Sequence, residues 1–377
     1  MTTLADDHTV IQRILDHIDN RTTDVGESSW REPVANYLSE ERLAAELRVL
    51  RRFPVAFCPS ASLPESGSYV ARNAALTPIL AVRGSDGRVR AFRNACRHRG
   101  TQVAEAAGCE KAFVCRYHGW TYGLDGALRH VPHEHGFLGL DKSERGLVPV
   151  GCVEHNGLVF VSQDAPAEAD GLLDGLPALL ASHWRLLGSS EREVPANWKV
   201  LAEGFIEGYH IRSTHMETFY PVQFDNLNVV ETFGRNSRVA YPYRAINKLR
   251  DRPPAKWSID GKLTYVYHLF PNVMVATFPA SRFVIVLEPL ALDRTLLITY
   301  LLGTPTDGPN AGDVPAPTTR GLDLVDAGGV EDREVACSIQ RSIASGANEF
   351  FEFGRFEAAI GHFHRMLHAA IDAESPR

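Results

Sequence analysis

Two short pairings constrain this 377-residue sequence more than any other feature. They are Cys96-x-His98 and, after sixteen intervening residues, Cys115-x-x-His118. Each follows a strand-like run, VRAFRNAC and KAFVC, so each pair is predicted on a loop leaving a strand. For the four side chains to serve one centre, two neighbouring loops must meet at the edge of a small β domain. The flanking sequence agrees. TPILAVRGSDGRVRAF reads as a hairpin around a Gly-Ser-Asp-Gly turn, and VGCVEHNGLVFV as a second one turned at Asn156-Gly157. Six cysteines are too sparse for a disulfide framework, which leaves metal binding as the reading for the paired ones. Cys58, Cys109, Cys152 and Cys337 lack such spacing and read as small buried hydrophobes; His130, His133 and His135 read as loop residues.

Two thiolates and two imidazoles suit zinc or an iron–sulfur cluster. Zinc sites commonly group Cys with Cys and His with His. Here each pair is mixed, which suits a two-iron cluster with cysteines on one iron and histidines on the other. The segment CRHRG…CRYHGWTYGLDG resembles the cluster-binding segment of Rieske proteins, and of the α (terminal oxygenase) subunits of Rieske non-haem iron oxygenases in particular. The resemblance implies that Cys96, His98, Cys115 and His118 hold a [2Fe-2S] cluster, with the histidines near the surface where an electron can leave.

Elsewhere the texture changes twice. TVIQRILDHI and SEERLAAELRVLRR carry apolar residues at helical spacing, so the first fifty residues read as helical. After Ala165, GLLDGLPALLASHW and NWKVLAEGFIEGYH again look helical. RVAYPYRAI, KLTYVYHLF, VMVATF, RFVIVLEPL and TLLITYLLG then read as an antiparallel sheet, with Pro289 ending one strand. The Pro/Gly-rich stretch 303–321 reads as a mobile loop and 330–374 as a final helix. This order predicts an α+β chain: a small β Rieske domain (55–165) inserted between an N-terminal helical arm (1–54) and the rest (166–377) of a larger, helix-grip-like catalytic domain with an antiparallel sheet.

A second centre is expected in NWKVLAEGFIEGYHIRSTH. Two histidines and one carboxylate on one face of an iron leave positions open for dioxygen and substrate. On an ideal helix His210 and His215 point about 140° apart, so the helix must end or distort near Ile211 if both grip one metal. Glu203, Glu207 and His210 stand at spacings of four and three, which would place them on one helix face. The segment resembles the Asn-Trp-Lys…acid-x-Tyr-His-x4-His stretch of the same oxygenases. That resemblance implies His210 and His215 as iron ligands and Glu207 as the acid bridging electron transfer, where other members often have Asp. GGVEDREVACSIQ matches the family's Glu-Asp-x7-Gln pattern with Asp332 at the ligand place; Glu331 and Glu334 compete, or serve as solvated helix charges.

The implied function is oxygenation of a small organic substrate with O2 at a mononuclear Fe(II). Electrons would come indirectly from NAD(P)H through a separate reductase or ferredoxin, because the chain has neither a GxGxxG fingerprint nor a plant-ferredoxin cysteine run. The family's head-to-tail homotrimer would route them from His118 of one subunit to Glu207 and His210 of the next. Hydroxylation of an aromatic compound is the first reading. Oxidation of a quaternary amine, prompted by Glu207, is the second, and a non-catalytic electron-transfer protein is an alternative of another class. Phe205, Phe219, Phe278 and Phe283 are candidates for the pocket, though large aromatics also serve as plain core; Arg282 and Arg212 are candidate anchors. A formal net charge of -7 speaks against nucleic acid, and no apolar run approaches the ~20 residues of a membrane span. With no apolar segment near the N-terminus, a cytoplasmic setting is expected.

Overall fold

The computed structural model describes residues 4–166, 173, 175–278, 280–303 and 319–373. The chain forms two compact units, Leu50–Ser182 and Met1–Val49 with His183–Arg377.

In the first unit, seven antiparallel strands lie in the spatial order Val55–Pro59, Leu158–Ser162, Pro149–His155, Val89–Arg93, Thr77–Arg83, Ser68–Ala74 and Ala106–Cys109. Both predicted hairpins are present. The second turns through Asn156 (φ 49°) and Gly157 (φ 82°), the doubly positive pair that matches the twist of a two-residue hairpin. A Cβ on Gly157 would stand 2.3 Å from the Leu180 carbonyl oxygen, so this turn admits no other residue. Three short strands, Phe113–Val114, Thr121–Tyr122 and Leu128–His130, form a second sheet. Their side chains share a core with Leu80, Val82 and Phe92, and the same core contains Cys96 and Cys115.

The second unit is built on a seven-stranded antiparallel sheet. Its strands are β1 (Arg185–Val194), β2 (Val229–Phe233), β3 (Asn236–Pro242), β4 (Leu263–Leu269), β5 (Val273–Phe278), β6 (Ser281–Ala291) and β7 (Arg294–Gly303), in the order β1-β7-β6-β5-β4-β3-β2. Its longer helices are α1 (Asp7–Asn20), α2 (Glu40–Arg52), α3 (Trp198–Phe205), α4 (Thr319–Ser342) and α5 (Ala358–Asp372). α1 buries Val10, Ile11, Ile14 and Leu15, an i, i+1, i+4, i+5 stripe, each contributing about 1.5–3 kcal/mol. Asp6 caps it by accepting from the Thr9 amide.

Several expectations are corrected. The described residues of 171–184 form no helix. Pro289 does not end its strand; β6 runs on to Ala291 with a register shift after Pro289, where a missing amide is tolerated. The C-terminal region is not one helix. Gly346 (φ 75°) follows α4 and its 3-10 extension, and strand Phe350–Phe353 then pairs with Trp30–Pro33 of the N-terminal arm, which was read as wholly helical. Of the loop expected at 303–321, residues 304–318 lie outside the described residues, Gly303 ends β7 and 319–321 begin α4. Of Cys58, Cys109, Cys152 and Cys337 only Cys58 is buried; Cys109 is exposed, and Cys152 and Cys337 are half-buried.

Candidate metal centres

The two Cys/His loops share one backbone design. In the first, the Cys96 amide donates to Thr101 O and the Gly100 amide to Cys96 O; in the second, Cys115 donates to Trp120 O and Gly119 to Cys115 O. Gly100 (φ 81°) and Gly119 (φ 74°) close the turns in the left-handed region, which costs a side-chain-bearing residue about 1–2 kcal/mol. The paired turns bring the His98 and His118 rings to 4.6 Å between centroids. Both thiols are buried, whereas His118 is exposed and His98 half-buried, the arrangement expected of a cluster with an outward histidine side. Trp120 stacks on His98 at 5.0 Å and Tyr117 on His118 at 3.8 Å, fixing the imidazole planes.

Tyr122 is a further participant. Its oxygen accepts from the Arg97 amide at 2.9 Å, so its hydroxyl proton is free to point at Cys96 Sγ, 3.3 Å away. A hydrogen bond onto a ligand sulfur stabilises the more negative state of an iron–sulfur centre. Arg97 ties to Gly146 O and Arg99 to the Tyr117 hydroxyl, so both arginines brace the loops.

The second centre is positioned by the Asn-Trp-Lys segment. Asn197 caps α3, accepting from the Lys199 amide. Trp198 Nε1 and Lys199 Nζ both donate to Glu46 of α2, with Lys199 and Glu46 fully buried. Removing one partner of such a pair costs about 3–5 kcal/mol. The Asn197 amide donates to Gln340 Oε1, which explains the glutamine of the Glu-Asp-x7-Gln pattern: it pins α4, the helix of Asp332, to the start of α3.

α3 ends at Phe205, earlier than expected, in a stretch weakened by Gly204 and Gly208. Glu203, Glu207 and His210 therefore do not share a helix face. Glu203 turns inward and accepts from the Tyr37 hydroxyl and from His364. His210 and His215 flank a single helical turn, Ile211–Thr214, that brings their Nε2 atoms to 3.1 Å. Asp332 Oδ1 lies 2.9 Å from His215 Nε2 and 3.4 Å from His210 Nε2.

The outer nitrogens fix the tautomers. His210 Nδ1 faces Glu207 Oε1, and His215 Nδ1 faces Glu331 Oε2 at 2.7 Å. A carboxylate only accepts, so both Nδ1 atoms carry protons and both Nε2 atoms present lone pairs. Two lone pairs and a carboxylate oxygen then converge on one point, an arrangement that a cation relieves. Without a cation a proton takes that place. Burial opposes charge on His210, yet hydrogen bonds to Asp332 and Glu207 hold it up at about 10. Burial likewise opposes ionisation of Asp332, and the two histidines outweigh it, lowering its pKa. Glu331 is thus no solvated helix charge: it also accepts from Thr218 Oγ1 at 2.6 Å.

Glu32, His364 and His368 form another group with ligand atoms within 4.8 Å, but its protons are differently placed. Arg42, which only donates, faces His368 Nδ1 at 3.4 Å, so His368 Nε2 carries its proton toward Glu32 and offers no lone pair.

The iron-type centre opens into a cavity of about 480 Å³. The floor follows from period-two alternation across the sheet: register pairs place Gly188, Ser190 and Arg192 of β1 beside Leu301, Thr299 and Leu297 of β7. Phe283 and Ile285, Ala276 and Phe278, Val266 and Thr264, and Tyr241 continue the same face. Phe205 and Phe219 complete the aromatic wall, so all four candidate phenylalanines line it. Neither candidate anchor does: Arg282 stacks over Trp184, and Arg212 pairs with Asp225. Arg192 and Arg333 line it instead.

Residues 181–373 match the ring hydroxylating alpha subunit (catalytic domain) family, and 53–148 match the Rieske [2Fe-2S] domain. The chain belongs to the ring-hydroxylating α-subunit family. This α subunit is a Rieske oxygenase, with a [2Fe-2S] cluster and a mononuclear iron as cofactors and a separate electron donor. It is 37% identical over 205 residues to the large oxygenase component of the naphthalene 1,2-dioxygenase system of Pseudomonas fluorescens, a match covering 51% of this chain and 46% of that relative. It is 28% identical over 363 residues to the glycine betaine monooxygenase oxygenase subunit of Chromohalobacter salexigens, covering 83% and 80%. The crystal structure of the quaternary ammonium Rieske monooxygenase CntA shares its fold with a TM-score of 0.76 at 21% identity, over 98% and 99% of the two chains. That of naphthalene 1,2-dioxygenase from Rhodococcus sp. does so at 0.72 and 21%, over the same shares. Among the described residues no helix is long and apolar enough to cross a membrane.

Proposed function

We propose that this α subunit hydroxylates an aromatic compound. Cys96, His98, Cys115 and His118 hold the cluster, and His210, His215 and Asp332 hold the iron. The observation that carries the reading is the convergence of two Nε2 lone pairs and Asp332 Oδ1 on the wall of a largely apolar cavity. Its volume lies within the range of small-molecule sites. Bound iron supplies activation of O2 at open coordination positions.

The chain's own residues do the rest. Glu207 and Glu331 hold the Nδ1 protons and so orient both imidazoles toward the metal. Val266, Ile285, Leu297 and Leu301 keep the cavity dry, and Phe278 and Phe283, edge to face at 5.6 Å, offer a surface for a ring. Glu207 serves as the bridge that receives electrons from the cluster side of a neighbouring copy in a cytoplasmic homotrimer supplied by a reductase or ferredoxin.

A second reading, oxidation of a small quaternary amine, draws support from the betaine relative's coverage of most of the chain. Such a cation would rely on the faces of Phe205, Phe219 and Tyr241. The aliphatic floor favours the ring. Oxygen uptake by the loaded enzyme, screened with neutral arenes, aromatic acids and quaternary amines and followed by product analysis, tests the choice. Hydroxylated arenes are expected; uptake with amines alone would transfer the assignment to the second reading.

A further inference from the structure

The cavity holds a charge pattern that oxygen chemistry does not use. Glu207 and Asp332 are engaged with the two histidines. Of the remaining charged groups on its wall, one is an acid, Asp326, and two are guanidinium groups, Arg192 and Arg333. Arg192 comes from edge strand β1, opposite Leu297, and Arg333 from α4, immediately after Asp332. Among the described residues neither side chain forms an ion pair or hydrogen bond. The two guanidinium groups lie close enough to repel one another, with Asp326 and Asp332 acting the other way on Arg333, and an anion seated between them would relieve that repulsion. The guanidinium fork fits a carboxylate in two parallel hydrogen bonds.

The geometry points to an aromatic carboxylate of one or two rings as the substrate, its carboxylate held by Arg192 and Arg333 and its ring on Leu297, Ile285 and Phe283. This inference rests on the aromatic reading above and adds the polar end of the molecule. Because Arg333 follows Asp332 in the helix, a carboxylate anchored there holds the ring close to the iron ligands, fixing which carbon is presented. Asp326 shares the α4 face seven residues before Arg333 and would repel an acid bound the wrong way round.

The test uses the enzyme loaded with cluster and iron, titrated calorimetrically with 2-naphthoate and with the neutral isostere 2-naphthamide. The acid is expected to bind at least about tenfold more tightly than the amide. Arg192→Gln is expected to weaken the acid about ten- to a hundredfold and the amide far less, so that the ratio collapses, and added salt should narrow it in the parent enzyme. Arg333→Gln should act likewise. Its iron content is measured in parallel because of its neighbour Asp332, while Arg192 lies on β1, remote from the proposed ligands in sequence. Equal binding of acid and amide by the parent, or an unchanged ratio in both variants, overturns the inference. Hydroxylation of neutral arenes without preference for the acid would overturn it and leave the aromatic reading standing; oxidation of quaternary amines alone would remove both.

Discussion

The two metal centres are built on opposite plans. The proposed cluster site draws its four side chains from two loops within 23 residues of sequence, Cys96 to His118, each closed by the same hydrogen bonds and a left-handed glycine. The proposed iron site joins a single helical turn to a helix more than a hundred residues away, and each histidine is held from behind by a carboxylate. The first is suited to carrying electrons with little movement, since backbone turns place its four side chains and Trp120 and Tyr117 fix the two rings. The second leaves one side free for a cavity, and its orientation depends on side chains that can be removed singly. That difference predicts distinct responses to mutation.

The largest effect is expected from Asp332→Ala. Iron should be lost and turnover should fall by about a thousandfold or more, with the visible absorbance of the cluster unchanged. Metal analysis beside the absorbance spectrum checks this; loss of both centres together would mean that they are not independent. Glu207→Gln should keep both metals and lower turnover by about a hundredfold or more, because it breaks the bridge and loosens His210. Full activity with both metals present would sink the bridging role.

Legibility in the sequence follows the same contrast. The proposed cluster residues can be read because they are local, and the hairpins around them because Gly-Ser-Asp-Gly and Asn-Gly turns are local too. His210, His215 and Asp332 stood out only through a longer pattern. For Glu331 the sequence offers only a competing ligand or a solvated charge, because helix spacing says nothing of a histidine 116 positions away. Glu46, which explains why Trp198 and Lys199 stand side by side, is a long-range partner of the same kind. Arg192 was invisible because β1 is an exposed edge strand of mostly polar residues, without the apolar alternation that marks a strand. α3 was drawn too long because its apolar spacing persists past the glycines that end it.

Smaller effects refine the contrast. Glu331→Gln replaces the carboxylate that accepts from His215 Nδ1 with a weaker, neutral acceptor and should lower iron affinity about ten- to a hundredfold, as measured by competition with a chelator. An unchanged affinity would show that Asp332 alone positions His215. Tyr122→Phe should lower the reduction potential of the cluster by tens of millivolts, a shift followed by redox titration, where about 59 mV is a tenfold change for one electron. Iron binding should be untouched; an unchanged potential would remove Tyr122 from the cluster's environment.

The most direct test of the whole account is a single turnover. The loaded enzyme is fully reduced, freed of reductant and mixed with an aromatic substrate under ¹⁸O₂. The account predicts a hydroxylated product carrying ¹⁸O, formed as the cluster reoxidises, and none from Asp332→Ala with its cluster intact and reduced. Labelled product from the iron-free variant, or cluster oxidation without product in the parent, would contradict it.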